Sequence, residues 1–299
     1  MPCVMFRNLR RTVFAILLAM PLAAPSFAQG TGDNAGGSPQ VASRDAFDMR
    51  ASQVIGKVAR DSRGEDVGKI HDLLIDPDAG RAPYAIVALG GTLGAGDKLI
   101  AFPTNALGLT RDRGEMVLDV NAKQLKEWPG FSADAWPREG SGSYFEELRR
   151  AVGDAGKVNI PPAGATWRAS ELIGRNVDDR EGRDAGEIQD IVVDISRGRV
   201  SYVVLDFDKA WSLSDKLIPL PMNALRIPRE RDADLMLTLD RDRIDMARGF
   251  EQKAWPDLNE PAFRQNMSAY FLALERPTPA QAGNVRGQQQ SERSSGSSD

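Results

Sequence analysis

The chain has 299 residues, with 38 Lys and Arg against 42 Asp and Glu, one His and one Cys. One cysteine excludes a Cys-ligated zinc or iron–sulfur site, a thiol redox pair and a disulfide scaffold. A net charge of -4 argues against a dedicated nucleic-acid binder, which needs clustered positive charge to displace counterions.

The first segment carries Arg7, Arg10 and Arg11, then an apolar run from Val13 to Ala24, then Ser26-Phe27-Ala28. This order predicts a secretory signal peptide over 1–28, cleaved after Ala28. The run contains Pro21 and falls short of the about 20 apolar residues that a membrane span requires. Cleavage removes three bases and no acids, leaving 35 bases, 42 acids and a net charge of -7. It also removes Cys3, which precedes the apolar run and so is not placed as a lipoprotein cysteine. A mature chain without thiols suits an oxidising compartment, the periplasm or the cell exterior. Residues 29–47 are rich in Gly, Ser, Asn and Pro and are expected to form a disordered leader. Residues 277–299, ending in GQQQSERSSGSSD, are expected to form a disordered tail.

The rest is one unit written twice. Arg50-Ala51-Ser52 with Ile55-Gly56 recurs as Arg168-Ala169-Ser170 with Ile173-Gly174, at an offset of 118. From residue 50 to 107, 23 of 58 positions are identical to those 118 later, without a gap. After one inserted residue, Gly130-Phe131 and Ala135-Trp136-Pro137 recur as Gly249-Phe250 and Ala254-Trp255-Pro256. A period of this length is a small domain, not a solenoid repeat. The expected division is domain 1 over 48–139, a linker over 140–165 and domain 2 over 166–276, each domain burying its own core. The linker holds a helical piece, Tyr144 to Val152, then a stretch ending in Pro161-Pro162.

Within the first copy the expected elements are a strand over Val54–Ala59, a turn over Asp61–Glu65 and a strand over Val67–Asp76. A turn over 77–80 leads to a nearly all-apolar strand over Tyr84–Leu89, buried on both faces or wrapped in a barrel, followed by strands over Lys98–Phe102 and Met116–Val120. Asn121–Trp128 and Asp240–Phe250 read as helices, with Asn121 and Asp240 as N-caps. Short strands with Gly and Asp turns at this spacing predict a mainly β fold of two tandem small barrels, each with a helical C-terminal extension.

The order Ile-Gly, Asp-x-x-Gly-x-x-x-Gly, an apolar strand ending in Asp, then Tyr with an apolar strand, then Lys-Leu-Ile-x-x-Pro-x-x-Ala-Leu resembles the PRC-barrel domain. The resemblance runs over 51–120 and 169–239. This is the barrel of the cytoplasmic part of the photosynthetic reaction centre H subunit, found also in a ribosome maturation factor. It implies an interaction module. The trailing Gly-Phe and Ala-Trp-Pro segments look like those of exported bacterial members.

Candidate chemistry is sparse. His71 becomes Gln189 in the second copy and is read as an exposed strand residue, not a catalytic base. The acids Asp61, Asp66, Asp72 and Asp76, repeated as Asp179, Asp184, Asp190 and Asp194, lack the compact calcium-loop pattern and read as turn and strand-edge residues. Paired carboxylates for glycosidase work would need a cleft that a filled barrel does not supply. Gly90–Gly96 lacks the Lys-Ser/Thr of a phosphate loop. Trp136-Pro137 and Trp255-Pro256 are expected to pack each C-terminal segment onto its own barrel. The most divergent loop holds Leu93 in one copy and Trp211 with Leu213 in the other, and these three are the candidate partner contacts.

The expectation is a non-enzymatic exported scaffold that binds a periplasmic or envelope protein, with no cofactor, metal or nucleic acid. Two barrels on a semi-flexible connector would attach bivalently. The alternative is a periplasmic ligand or cation carrier using its acidic surface.

Overall fold

The computed structural model describes residues 46–90, 98–109, 115–137, 142–153, 165–207, 216–240, 243–244 and 247–275. The signal-like segment, the leader up to 45, the tail and the Pro161-Pro162 stretch lie outside them, as do Leu93, Trp211 and Leu213.

In the first repeat, strand β1 (Asp48–Arg50) leads into a single helical turn α1 (Ala51–Val54), then β2 (Val58–Arg60). The expected strand from Val54 is therefore late by one turn. Ala51 and Val54 recur on one face at helical spacing and are both buried, and Gly56, at φ +86°, reverses the chain before β2. Next come β3 (Asp66–Asp76), β4 (Arg81–Leu89) and β5 (Lys98–Pro103). β4 is buried from Ala82 to Ala88, as its uninterrupted apolar run requires. Strands β6 (Leu107–Leu109) and β7 (Met116–Leu118) follow, with β7 parallel to β2. Helix α2 (Ala122–Glu127) starts where expected. Asn121 accepts from the Gln124 N–H at 2.9 Å and the Gln124 side chain accepts in return from the Asn121 N–H, a capping box. Helix α3 (Gly142–Gly153) buries Tyr144, Phe145, Leu148 and Val152, one face at helical spacing.

The second repeat copies this order: β8 (Trp167–Arg168), α4 (Ala169–Leu172), β9 (Asn176–Asp178), β10 (Asp184–Asp194), β11 (Arg199–Phe207), β12 (Leu217–Leu220), β13 (Leu225–Arg226) and β14 (Leu235–Leu237). A last helix, α5 (Pro261–Glu275), was not anticipated. It begins 119 residues after α3, the offset of the Gly-Phe and Trp-Pro matches, so the expected linker helix α3 is itself a repeated element. The helical reading over Asp240–Phe250 is too long. Arg243 and Ile244 bond back to Asp240, but Phe250 is extended and pairs with Leu217.

Gly-Phe recurs because Gly130 and Gly249 let the chain return against a strand. Phe131 exchanges both backbone hydrogen bonds with Leu99, and Phe250 does so with Leu217. A Cβ on Gly130 would stand 2.9 Å from the Leu99 carbonyl oxygen, and one on Gly249 would stand 2.6 Å from that of Leu217.

The repeats do not fold separately. β1 of the first repeat pairs with β10 of the second, and β8 of the second pairs with β3 of the first. At the centre β4 and β11 meet at Arg81 and Arg199, where Ala82 N–H donates to Gly198 O at 2.9 Å and Val200 N–H to Gly80 O at 3.0 Å. The sheet order is a palindrome about that pair, β6-β7-β2-β3-β4 followed by β11-β10-β9-β14-β13. Reciprocal contacts of this kind define a two-fold relation between halves, here within one chain. One continuous core includes Tyr84, Phe102 and Ile70 of the first repeat with Ile188, Phe207 and Leu235 of the second. The expectation of one core per copy is corrected for the same reason: each repeat lends its N-terminal arm to the other. Among the described residues no helix is long and apolar enough to cross a membrane.

Candidate functional site

The junction is built from residues identical in both copies. Ser52 follows β1 and faces Asp190 on β10. Its hydroxyl donates to Asp190 Oδ2 at 2.5 Å and its N–H to Oδ1 at 3.2 Å. Ser170 makes the same two bonds to Asp72, the N–H at 3.2 Å. Each carboxylate also accepts from the next N–H of its own strand, Leu73 at 2.8 Å and Ile191 at 2.9 Å. Asp72 and Asp190 are therefore neither turn nor edge residues, as the sequence suggested, but anchors for the exchanged arms. Both are buried, at 2% exposure. Burial pushes the Asp72 carboxyl up, against the hydrogen bonds from Ser170.

The other acids fit the structural reading. Asp61 lies buried under its turn and accepts from the N–H groups of Arg63, Glu65 and Ala122 at 2.8, 3.0 and 3.2 Å. Burial opposes its charge, but these bonds and the Arg63 guanidinium outweigh it, and the carboxyl falls to about 2. Asp179 repeats the arrangement with Glu181 and Arg183 and is likewise held low. Asp76 and Asp194 close the turns after β3 and β10, accepting from Ala79 at 3.0 Å and Arg197 at 3.2 Å. Asp66 pairs with Arg60 at 3.2 Å, and Asp184 accepts from Gly186 at 2.9 Å. Among the described residues no three acids, cysteines or histidines gather as a metal-ligand set.

His71 is on β3, as expected, but half-buried where exposure was expected. Its ring lies 5.8 Å from that of Trp136, because the Trp-Pro segment folds back over the strand. Trp136 also packs on Phe131 at 5.2 Å, and Trp255 on Phe250 at 5.0 Å, so both tryptophans do hold their own C-terminal segments. Each has a second contact. Arg168 of the second repeat lies 4.9 Å over Trp136, and Arg50 of the first lies 4.5 Å over Trp255.

The Trp136 side of the junction opens into a cleft of about 450 Å³. The first repeat contributes Asp134 and Trp136, and the second contributes Arg168, Glu171, Arg229 and Arg231. Glu171 binds both Arg168 and Arg231. Burial works against its charge, but the two guanidiniums prevail and its carboxyl is held low. Arg231 and Arg175 also lie 4.6 and 5.2 Å over the ring of buried Trp167. Arg229 is exposed and makes no ion pair or hydrogen bond among the described residues. The cleft offers one indole, three guanidiniums against two carboxylates and so one surplus cation, a surface suited to binding.

The sequence reading missed Trp167, Arg229 and the paired role of Ser52 and Ser170. The available signal was the Arg-Ala-Ser and strand-Asp identity between copies, which marks a shared structural demand without showing that it is met across repeats.

No curated protein matches the chain. The PRC-barrel domain family model matches residues 48–125 and again 166–243, each span starting at the exchanged arm. These matches cover more than half of the chain and coincide with the two halves of the palindromic sheet, so this protein belongs to the PRC-barrel domain family.

Proposed function

We propose that this protein is a non-enzymatic exported scaffold that binds a protein partner of the bacterial periplasm or envelope in the cleft between its two repeats. The observation that carries this reading is the composition of the cleft. Trp136 comes from one repeat and Arg168, Arg229 and Arg231 from the other, the residue types that dominate interface hot spots. A cleft whose three arginines outnumber Asp134 and Glu171, on a chain of net charge -4, selects a partner segment bearing carboxylates, since the rest of the surface repels it. The signal-like order of 1–28 supports export. Because the arms are exchanged, the repeats act as one fixed unit and not as two modules swinging on a connector. Leu93, Trp211 and Leu213, which lie in sequence between β4 and β5 and between β11 and β12 and outside the described residues, are proposed as a second contact region.

The test is a photo-crosslinking residue in place of Arg229 in the exported full-length protein, with the exposed Lys123 position as control. A partner trapped from 229 and not from 123, and lost with Trp136→Ala, is expected. Recovery of the protein alone, or equal crosslinking from both positions, rejects the reading.

A further inference from the structure

The two repeats differ sharply at one equivalent place, the packing of α3 and α5 on their barrels. In the first repeat Phe145 of α3 lies 4.9 Å from the ring of Tyr84, and with Leu148 and Val152 it fills the space above that strand. At the equivalent positions α5 carries Arg264, Met267 and Phe271. Arg264 turns away to the exchanged arm, its Nε 3.1 Å from Asp48 and its Nη1 donating to Ala46 O at 2.7 Å. An open cleft of about 360 Å³ remains between α5 and β11, within the size range of small-molecule sites.

Its walls are Phe263, Met267 and Phe271, all half-buried, and its floor is Tyr202. Tyr202 is 3% exposed, and its buried hydroxyl has no hydrogen-bond partner among the described residues. An unsatisfied buried donor is costly and needs an explanation. Burial pushes this phenol up, so it remains a donor at neutral pH. The charged groups do not balance either. Asp48 is engaged by Arg264 and Ser201, and Asp194 by Arg197 at 2.9 Å, which leaves Arg199. Arg199 is exposed and its side chain makes no ion pair or hydrogen bond among the described residues. It sits opposite Arg81 in the register that joins the repeats, but whereas Arg81 is paired with Asp76 at 3.3 Å, the equivalent acid Asp194 is engaged by Arg197.

We propose that this cleft binds an organic monocarboxylate with a compact apolar group, its carboxylate at Arg199 and its apolar part between Tyr202 and the α5 side chains. The guanidinium supplies the charge-assisted contact, the tyrosine hydroxyl a donor the fold leaves unused, and the aromatic walls the apolar burial. The site shares no residue with the junction cleft, so its failure leaves the partner reading standing, and the reverse holds.

The probes are phenylacetate and its neutral isostere phenylacetamide, titrated calorimetrically into the full chain. Saturable phenylacetate binding with a Kd below about 1 mM is expected, at least about tenfold weaker for the amide and for Arg199→Gln. Tyr202→Phe supplies a readout that a structural role would not give: the ligand-free protein should melt higher, because an orphaned donor is gone, while phenylacetate binds more weakly. No heat with phenylacetate, equal affinity for the amide, an unchanged Arg199→Gln variant, or a lower Tm in Tyr202→Phe would each overturn the proposal.

Discussion

The Ser52 hydroxyl donates to Asp190 at 2.5 Å across 138 residues of sequence, and Ser170 repeats the bond to Asp72 in the opposite direction. One arm of each repeat is thereby clamped to the other. Removing either hydroxyl leaves a buried carboxylate short of a charge-assisted donor. Ser52→Ala and Ser170→Ala should each lower unfolding stability by about 1.5–3 kcal/mol, read from denaturant midpoints with unchanged m. A loss within experimental error in both would mean the clamps contribute nothing.

Asp61 and Asp72 should respond to acid with opposite sign. Asp61 falls from 3.8 to about 2 on folding, so its contribution is complete above pH about 4 and is lost as pH falls towards 2. The deficit of Asp61→Asn relative to wild type should shrink over that window. The Asp72 carboxyl is raised by burial, so wild type should gain stability relative to Asp72→Asn as pH falls through that raised value. Stability curves from pH 2 to 7 for the three proteins give both signs in one experiment.

The first arm is tied down by Asn259, whose amide donates to Asp48 O at 3.0 Å and accepts the Asp48 N–H at 2.8 Å. This side chain mimics a neighbouring strand. Asn259→Ala should speed hydrogen exchange at Asp48 and Met49 while leaving the amides of β3 protected, since the second arm is held separately. Equal loss of protection in both regions would show that the arms open only with the whole molecule.

Gly249→Ala should be more damaging than an exposed Gly→Ala change, because the new Cβ would stand 2.6 Å from the Leu217 carbonyl oxygen. Strand or chain must shift, at about 1–3 kcal/mol. Gly64→Ala meets no atom within 4 Å but has φ +83°, and so isolates the backbone penalty of a left-handed residue from the steric one. Thermal melts of the two variants separate these effects.

Much of the strand order could be read from local signals. The run Tyr84–Leu89 could only be a buried strand, Asp and Gly marked the turns, and Asn121 with Gln124 announced α2. What failed was local in a different way. Ala51–Val54 is too short for its helical period to show, and α5 lies in a stretch with no equivalent cue beyond its spacing from α3. His71 looked exposed because the residue that covers it, Trp136, is 65 positions away.

The sequence by itself determined the duplication, the barrel family, the turns and the shortage of catalytic groups, because composition and internal identity are properties of the chain alone. Only the tertiary structure decided how the copies relate. A serine and an aspartate conserved in both repeats satisfy each other equally well within a repeat or between repeats. The exchange of arms selects the second arrangement, because β1 and β8 find their open strand edges on β10 and β3 of the opposite copy. Both clefts depend on arms seated in this way, one with residues from both repeats and the other completed by Asp48 of the exchanged arm.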